Sequence, residues 1–368
     1  MTTAQLVRDI ETLVTCESPS ADLAAVAASA DVVARLGAQR LGVPAERIVL
    51  DGRTHLRWRL GSGPRRVLVL CHHDTVWPLG TLATHPFTVT DGVLRGPGCF
   101  DMKAGLVMAL HAVATLADAD GVTVLVTGDE ELGSPTSRGL IETEAAGCAA
   151  ALVLEAAAGR ALKTERKGVS LYEVTAHGRA AHAGLEPEKG VNATIELAHQ
   201  VQAVAALADP ALGTTVTPTR LQSGTTSNTV PAAGGFAVDV RASNRAEQDR
   251  VDAAMHALQP VLPDAKLTVT GGPNRPPLEA ASSASLFARA GELAAALGLP
   301  PLRGAAVGGA SDGNFTAGVG VPTLDGLGAS GGGAHADDEH VLVDELPGRT
   351  ALVAALLADL LADTGTRP

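Results

Sequence analysis

Three acid or imidazole groups stand directly behind three apolar runs. Residues 66–71 run into His72-His73-Asp74, residues 122–127 into Gly128-Asp129-Glu130-Glu131, and residues 150–154 into Glu155. Each run is short and rich in Val, Leu or Ala, the pattern of a buried strand. In an open α/β sheet, ligands collect beyond the carboxyl ends of the strands. Three strands in a row therefore deliver imidazole and carboxylate to one rim. A single acid after a strand is more often a helix cap; three together point to metal or acid–base chemistry.

The individual pieces are weaker than their sum. In His72-x-Asp74 a spacing of two puts both side chains on one face of extended chain. A metal-bound imidazole usually gives its other N–H to an acceptor, and Asp74 can be that acceptor. A surface histidine beside a loop aspartate is the plain alternative. His73, with the opposite parity, reads as structural. Glu130 and Glu131 are adjacent and point apart in extended chain, so one can bind metal while the other acts as general base. In isolation such a pair is more often a solvated acidic loop.

The stretch Gly96-Pro97-Gly98-Cys99-Phe100-Asp101-Met102-Lys103 looks like a glycine-rich phosphate loop. It follows no convincing strand and lacks the GxGxxG and GxxxxGK[ST] spacings, which argues against a nucleotide. Its useful residue is Asp101, whose carboxylate could bridge two ions. Gly331-Gly332-Gly333-Ala334-His335 places an imidazole after flexible glycines, with Asp337, Asp338 and Glu339 close behind. A lone histidine in such a loop is usually just exposed.

These groups need a scaffold. The opening reads as two helices split at Ser18-Pro19-Ser20: Pro19 ends the first, and Ser20 caps the second, which runs to about Gly42. Helical patterns at 103–116 and 136–146 alternate with the three apolar runs, which implies right-handed crossovers and a largely parallel sheet. The texture changes near Arg166. Alternation at 168–176, a helix at 189–207, strands at 213–222 and 235–241, a helix at 245–258 and a strand at 265–270 form a β-α-β-β-α-β unit, read as ferredoxin-like. Gly271-Gly272-Pro273 and Pro276-Pro277 read as a linker. The α/β texture then returns, with a helix at 283–297, a strand near 321–324 and a final helix at 344–361. The expected organisation is one α/β domain, 1–165 and 275–368, interrupted by an inserted α+β domain at 166–274. Residues 326–333 read as an active-site loop.

Composition narrows the function classes. With 368 residues, 46% hydrophobic and 18% charged, the chain is long enough for about two domains and is not disordered. Its net charge of −12 disfavours a nucleic-acid partner, which needs clustered Lys and Arg. Arg8, Asp9 and Glu11 break the apolar pattern of the N-terminus, and no uncharged apolar run reaches the ~20 residues of a membrane span. Cys16, Cys71, Cys99 and Cys148 are widely spaced and include no CxxC pair, as expected of reduced, partly buried thiols in a cytoplasmic protein.

Taken in order, His72-x-Asp74, Asp101-Met102-Lys103, Glu130-Glu131, Glu155 and His335 resemble the signature of the M20 family of dinuclear zinc peptidases and amidohydrolases. The resemblance extends into the inserted domain. Gly178-Arg179-Ala180-Ala181-His182-Ala183-Gly184 and Pro187-Glu188-x-Gly190-x-Asn192-Ala193 look most like the glutamate carboxypeptidase branch. The resemblance implies a zinc-exopeptidase-like catalytic domain with an inserted dimerisation or lid domain. It implies one ion on His72 and Glu155, a second on Glu131 and His335, and Asp101 bridging both, with a cis peptide after Asp101. Glu at 155, rather than Asp, is a variation that family allows. Zn²⁺ suits the mixed ligands, and Co²⁺ or Mn²⁺ is accommodated.

Further roles follow from the same resemblance. Glu130 takes a proton from the attacking water and returns it to the leaving nitrogen. His182 reaches the partner subunit's site in a homodimer and stabilises the oxyanion. Asn228 and Arg241 hold the substrate carboxylate, against the alternatives of a turn asparagine and a strand salt bridge from Asp239 to Arg241. The desuccinylase-like relatives carry arginine at the place of Asn314, which counts against a dicarboxylic acyl substrate. The expected activity is cleavage of an amide next to a free carboxylate in a peptide or N-acyl conjugate, with release of a glutamate-like amino acid. The alternatives are an N-acyl-amino-acid deacylase of a biosynthetic pathway and, remotely, a non-catalytic dimeric binding scaffold.

Overall fold

Strands Val67–His72, Val122–Thr127 and Ala150–Val153 are buried at every position and mostly apolar because both of their faces are covered. In a computed structural model, which describes residues 2–363, they form the middle of a six-stranded sheet. Val67, Val69 and Cys71 face one core with helices Thr3–Val14, Leu23–Leu41, Ala104–Ala114 and Leu346–Ala362. Leu68 and Leu70 face the other core, with Ile141 and Phe315. Truncating such a leucine to alanine costs about 2–5 kcal/mol. Val67–His72 is parallel to both Val122–Thr127 and Ala150–Val153, and Thr323–Leu324 extends the parallel run. His72 pairs with Thr127 and Leu70 with Val153, so the three carboxyl ends share one rim.

The sheet is mixed, however. An antiparallel hairpin, Glu46–Leu50 with Arg53–Arg59, forms one edge. Its charged residues suit an edge and obscure it in the sequence. Gly105 explains how the helix Ala104–Ala114 lies so close to the sheet: a Cβ there would sit 1.9 Å from the Leu154 carbonyl oxygen. Ser20 does not cap the second helix. Asp22 does, accepting from Ala24 N and Ala25 N at 2.9 Å each, while the Ser20 hydroxyl is taken by Asp74 at 2.7 Å.

The chain divides into two units, residues up to Arg166 with those from Leu278 onward, and Lys167–Pro277. The second is an antiparallel sheet in the spatial order Thr215–Ser223, Ala233–Ala242, Gly168–His177, Lys266–Arg275, the ferredoxin-like arrangement. Helices Ala193–Ala205 and Arg245–His256 share a core with Val174, Phe236 and Val238 on a single face. Covering one face only is what makes these strands alternate in polarity. Gly271-Gly272-Pro273 is not a linker: Gly271 to Pro273 pair with Tyr172 to Ser170 inside the last strand. All four cysteines are free thiols, and no helix among the described residues is long and apolar enough to cross a membrane.

Candidate active site

The rim of the parallel strands gathers seven of the expected residues. Behind Val122–Thr127, the Asp129 carboxylate accepts from Thr136 N at 2.8 Å, Thr136 Oγ1 at 2.7 Å and Ser137 Oγ at 2.5 Å. These bonds curl the chain, and Glu130–Leu132 forms one 3₁₀ turn rather than extended chain. Glu130 and Glu131 diverge because successive residues of such a turn are about a third of a turn apart. Asp74 does more than neighbour His72. Its carboxylate accepts from Ser20 Oγ, from Glu130 N at 3.2 Å and from Glu131 N at 3.3 Å, tying the first strand's loop to the second's. His72 Nδ1 lies 3.0 Å from the Asp74 backbone oxygen and 3.5 Å from Oδ1.

Two imidazole–carboxylate pairs flank one aspartate. His72 Nε2 is 3.3 Å from Glu155 Oε1 and 3.5 Å from Asp101 Oδ1. His335 Nε2 is 3.2 Å from Glu131 Oε2 and 3.3 Å from Asp101 Oδ2. Each oxygen of Asp101 thus faces a different pair. The Asp101–Met102 peptide is cis. A ligand atom of Glu130 lies within 4.8 Å of those of His72 and Glu155. His335 takes the left-handed conformation, φ 63°, uncommon for a residue with a side chain and typical of functional loops.

The electrostatics favour positive charge at both imidazoles. Burial opposes charge on His72, yet Asp101, Asp74 and Glu155 lift its pKa well above the usual histidine range. Asp101 and Glu131 raise that of His335 to about 10. Burial pushes Glu131 up, and it pushes Asp101 the same way, but His335 and His72 together hold Asp101 below the carboxylate range. His72 Nε2 and Glu131 Oε1 are buried without a hydrogen-bond partner. Buried polar atoms of this kind need an explanation, and a divalent ion beside each imidazole is one. The mixed nitrogen and oxygen donors fit such ions.

Several contributors carry no local sequence signal. Arg166 forks onto Asp325 at 2.7 and 3.0 Å and directs Nη2 at Glu155 Oε2, 3.4 Å away; Lys163 Nζ lies 3.8 Å from the same oxygen. His73, structural as expected, bonds Ser29 Oγ and Thr54 O. Residues 326–333 back the site: Gly328 N donates to Glu155 O at 2.9 Å. A strand, Val93–Arg95, does precede the glycine-rich stretch 96–103, although the stretch serves Asp101 rather than a phosphate.

The other three residues lie in the second unit. His182 and Asn228 meet there: His182 pairs with Thr229 in a two-residue ladder, and Ala183 N donates to Asn228 O at 2.9 Å. Both are exposed. Arg241 stands apart in the larger sheet, forked onto Asp239 at 2.8 Å through both Nε and Nη2.

Known proteins share this framework. Residues 68–359 match the model of peptidase family M20/M25/M40. Carboxypeptidase G2 of Pseudomonas sp. (strain RS-16) is 33% identical over 82% of this chain and 75% of its own length. Succinyl-diaminopimelate desuccinylase 2 of Shewanella loihica is 32% identical over 52% of this chain and 56% of its own. Among solved structures, the M20 family metallo-carboxypeptidase Sso-CP2 of Sulfolobus solfataricus superposes with a TM-score of 0.72 at 17% identity, covering 96% of this chain and 98% of its own. The chain therefore belongs to peptidase family M20/M25/M40 and is an M20-type metallohydrolase.

Proposed function

We propose that this protein uses two divalent ions to cleave an amide bond next to a free carboxylate, releasing an amino acid, glutamate-like by preference, from a peptide or N-acyl conjugate. One observation carries the reading: a single carboxylate, Asp101, stands between two imidazole–carboxylate pairs, with Glu130 beside one of them. His72 and Glu155 would hold one ion, His335 and Glu131 the other, with Asp101 shared. When bound, the pair polarises the scissile carbonyl and acidifies the attacking water. Zn²⁺ is favoured, with Co²⁺ or Mn²⁺ as substitutes.

The chain's own groups supply the rest. Glu130 accepts a proton from the water whose oxygen attacks the carbonyl carbon. As the C–N bond breaks, Glu130 returns the proton to the leaving nitrogen. Asp74 orients His72 and holds the Glu130–Glu131 turn. His182, from the partner in a homodimer, donates to the developing oxyanion. Asn228 and Arg241 hold the substrate carboxylate, with Arg241 offering the fork that Asp239 fills in the free chain. A cytoplasmic homodimer accords with this reading.

The glutamate preference rests on the likeness to carboxypeptidase G2 and to the glutamate carboxypeptidase branch. Deacylation of an N-acyl amino acid uses the same groups; Asn314, buried with its Oδ1 accepting from Ser311 N, offers no cation to a dicarboxylic acyl group. Ranking kcat/KM over N-acyl-glutamates, N-acyl-aspartates, neutral N-acyl amino acids, dipeptides and succinyl-diaminopimelate tests the assignment. N-acyl-glutamates should lead; a panel led by succinyl-diaminopimelate would overturn it.

A further inference from the structure

Glu339 is 3% exposed, and among the described residues no lysine or arginine forms an ion pair with it. Four N–H groups satisfy its carboxylate instead. Oε1 accepts from Phe100 N at 2.9 Å and Asp101 N at 3.0 Å; Oε2 accepts from Gly98 N at 2.9 Å and Trp77 Nε1 at 2.7 Å. Three of these donors are the backbone leading into Asp101, and the fourth lies on the loop that follows His72. Glu339 itself closes the turn that carries His335, where Ala336 N donates to Gly333 O and Glu339 N to Ala336 O, each at 2.9 Å. One buried carboxylate thus joins the loops of His72, Asp101 and His335.

We infer that Glu339 is a positioning residue of the metal centre, whose carboxylate clasps the backbone at Asp101 and fixes it against the His335 turn. The inference rests on the dinuclear reading above. Four donors on two oxygens require an acceptor at every position, which an ionised carboxylate provides. A glutamine has the same shape but turns an NH₂ group toward two N–H donors. In either orientation of the amide that loses two bonds and loosens the clasp on the backbone leading into Asp101. Partners that orient metal ligands typically contribute ~10–100-fold in metal affinity or activity.

A role confined to loop stability predicts something different, because a folded variant would then bind metal normally. The test is a Zn²⁺ titration of metal-stripped full-length protein against a competing chelator, for wild type and Glu339→Gln, alongside circular dichroism, Tm, kcat and KM. The expected result is a folded Glu339→Gln protein with metal affinity lowered ~10–100-fold and kcat reduced while KM is little changed. A folded variant that binds two ions as tightly as wild type overturns the inference. If Glu339→Gln does not fold, Glu339→Asp decides in the same titration. It keeps the charge but is one methylene too short to span both donor pairs; weakened binding supports the clasp, and unchanged binding overturns it. A wild type that binds no ion sinks the dinuclear reading and the inference together, whereas two ions and an unaffected variant sink the inference alone.

Discussion

The rim of the catalytic sheet and the small ladder of the inserted unit hold polar side chains in opposite ways. At the rim, His72, Asp74, Glu130 and Glu155 are buried, and Asp74 and Asp129 each tie several donors. In the inserted unit, His182 is exposed on a two-residue ladder, Asn228 is exposed just outside it, and Arg241 is paired with a residue two positions back along its own strand. On the proposed function, the groups that would hold ions and move a proton are set in place beforehand, and those that would recognise a substrate or a partner copy are left reachable. The cores differ in the same sense. The catalytic sheet is covered on both faces, the inserted sheet on one.

The sharpest way to break this contrast is at the rim. Glu130→Gln should keep metal and fold while lowering turnover by ~10²–10⁴-fold, whereas Glu131→Ala should lose an ion. Metal analysis beside steady-state kinetics separates them, and the reverse pattern would exchange their roles. His182→Ala should cost about 10²–10³-fold in kcat, the scale of one oxyanion donor, with metal content unchanged. Mixing His182→Ala with Glu130→Gln under subunit exchange should restore one working site per mixed dimer; exchange without recovery places His182 in its own chain's site or none. Arg241→Ala should chiefly raise KM, by about tenfold or more, as loss of a charged hydrogen bond worth ~1.5–3 kcal/mol implies. A fall in kcat at unchanged KM would remove Arg241 from ground-state binding.

The smallest effect on turnover belongs to a cluster far from the chemistry. Asp9 accepts from Arg40 Nε and Nη2 at 2.7 Å each and pairs with His111 Nε2 at 2.6 Å, pinning three helices together. Burial pushes the Asp9 carboxyl up, but Arg40 and His111 outweigh it and hold the pKa below its usual 3.8. A carboxylate with a depressed folded pKa contributes stability above its unfolded value and loses it as pH falls through the folded one. Urea unfolding of wild type should therefore weaken below about pH 4 more steeply than that of Asp9→Asn, which should be less stable at neutral pH by about 1–3 kcal/mol. Equal slopes in acid would deny the cluster its role.

What could be read from the sequence follows the same division. The central strands were legible because burial on both faces makes them mostly apolar, and the acids behind them stood out. The inserted unit was legible from alternation. Charged positions hid the hairpin at residues 46–59, and strands of three residues such as Val93–Arg95 are too short to show a period. The Ser20 cap failed because Asp22 offers the helix a carboxylate while Ser20 is spent on Asp74. Glu339 and Arg166 were invisible as contributors: their partners, Asp101 N and Asp325, lie 238 and 159 residues away. Only the fold brings them together.

The central claim is that five residues on that rim hold two divalent ions on which turnover depends. Metal analysis of gently purified protein, followed by chelation and stepwise restoration of Zn²⁺, addresses it directly. Up to two ions per chain, loss of turnover on their removal and recovery as they return are expected. Full activity in verified metal-free protein would contradict it.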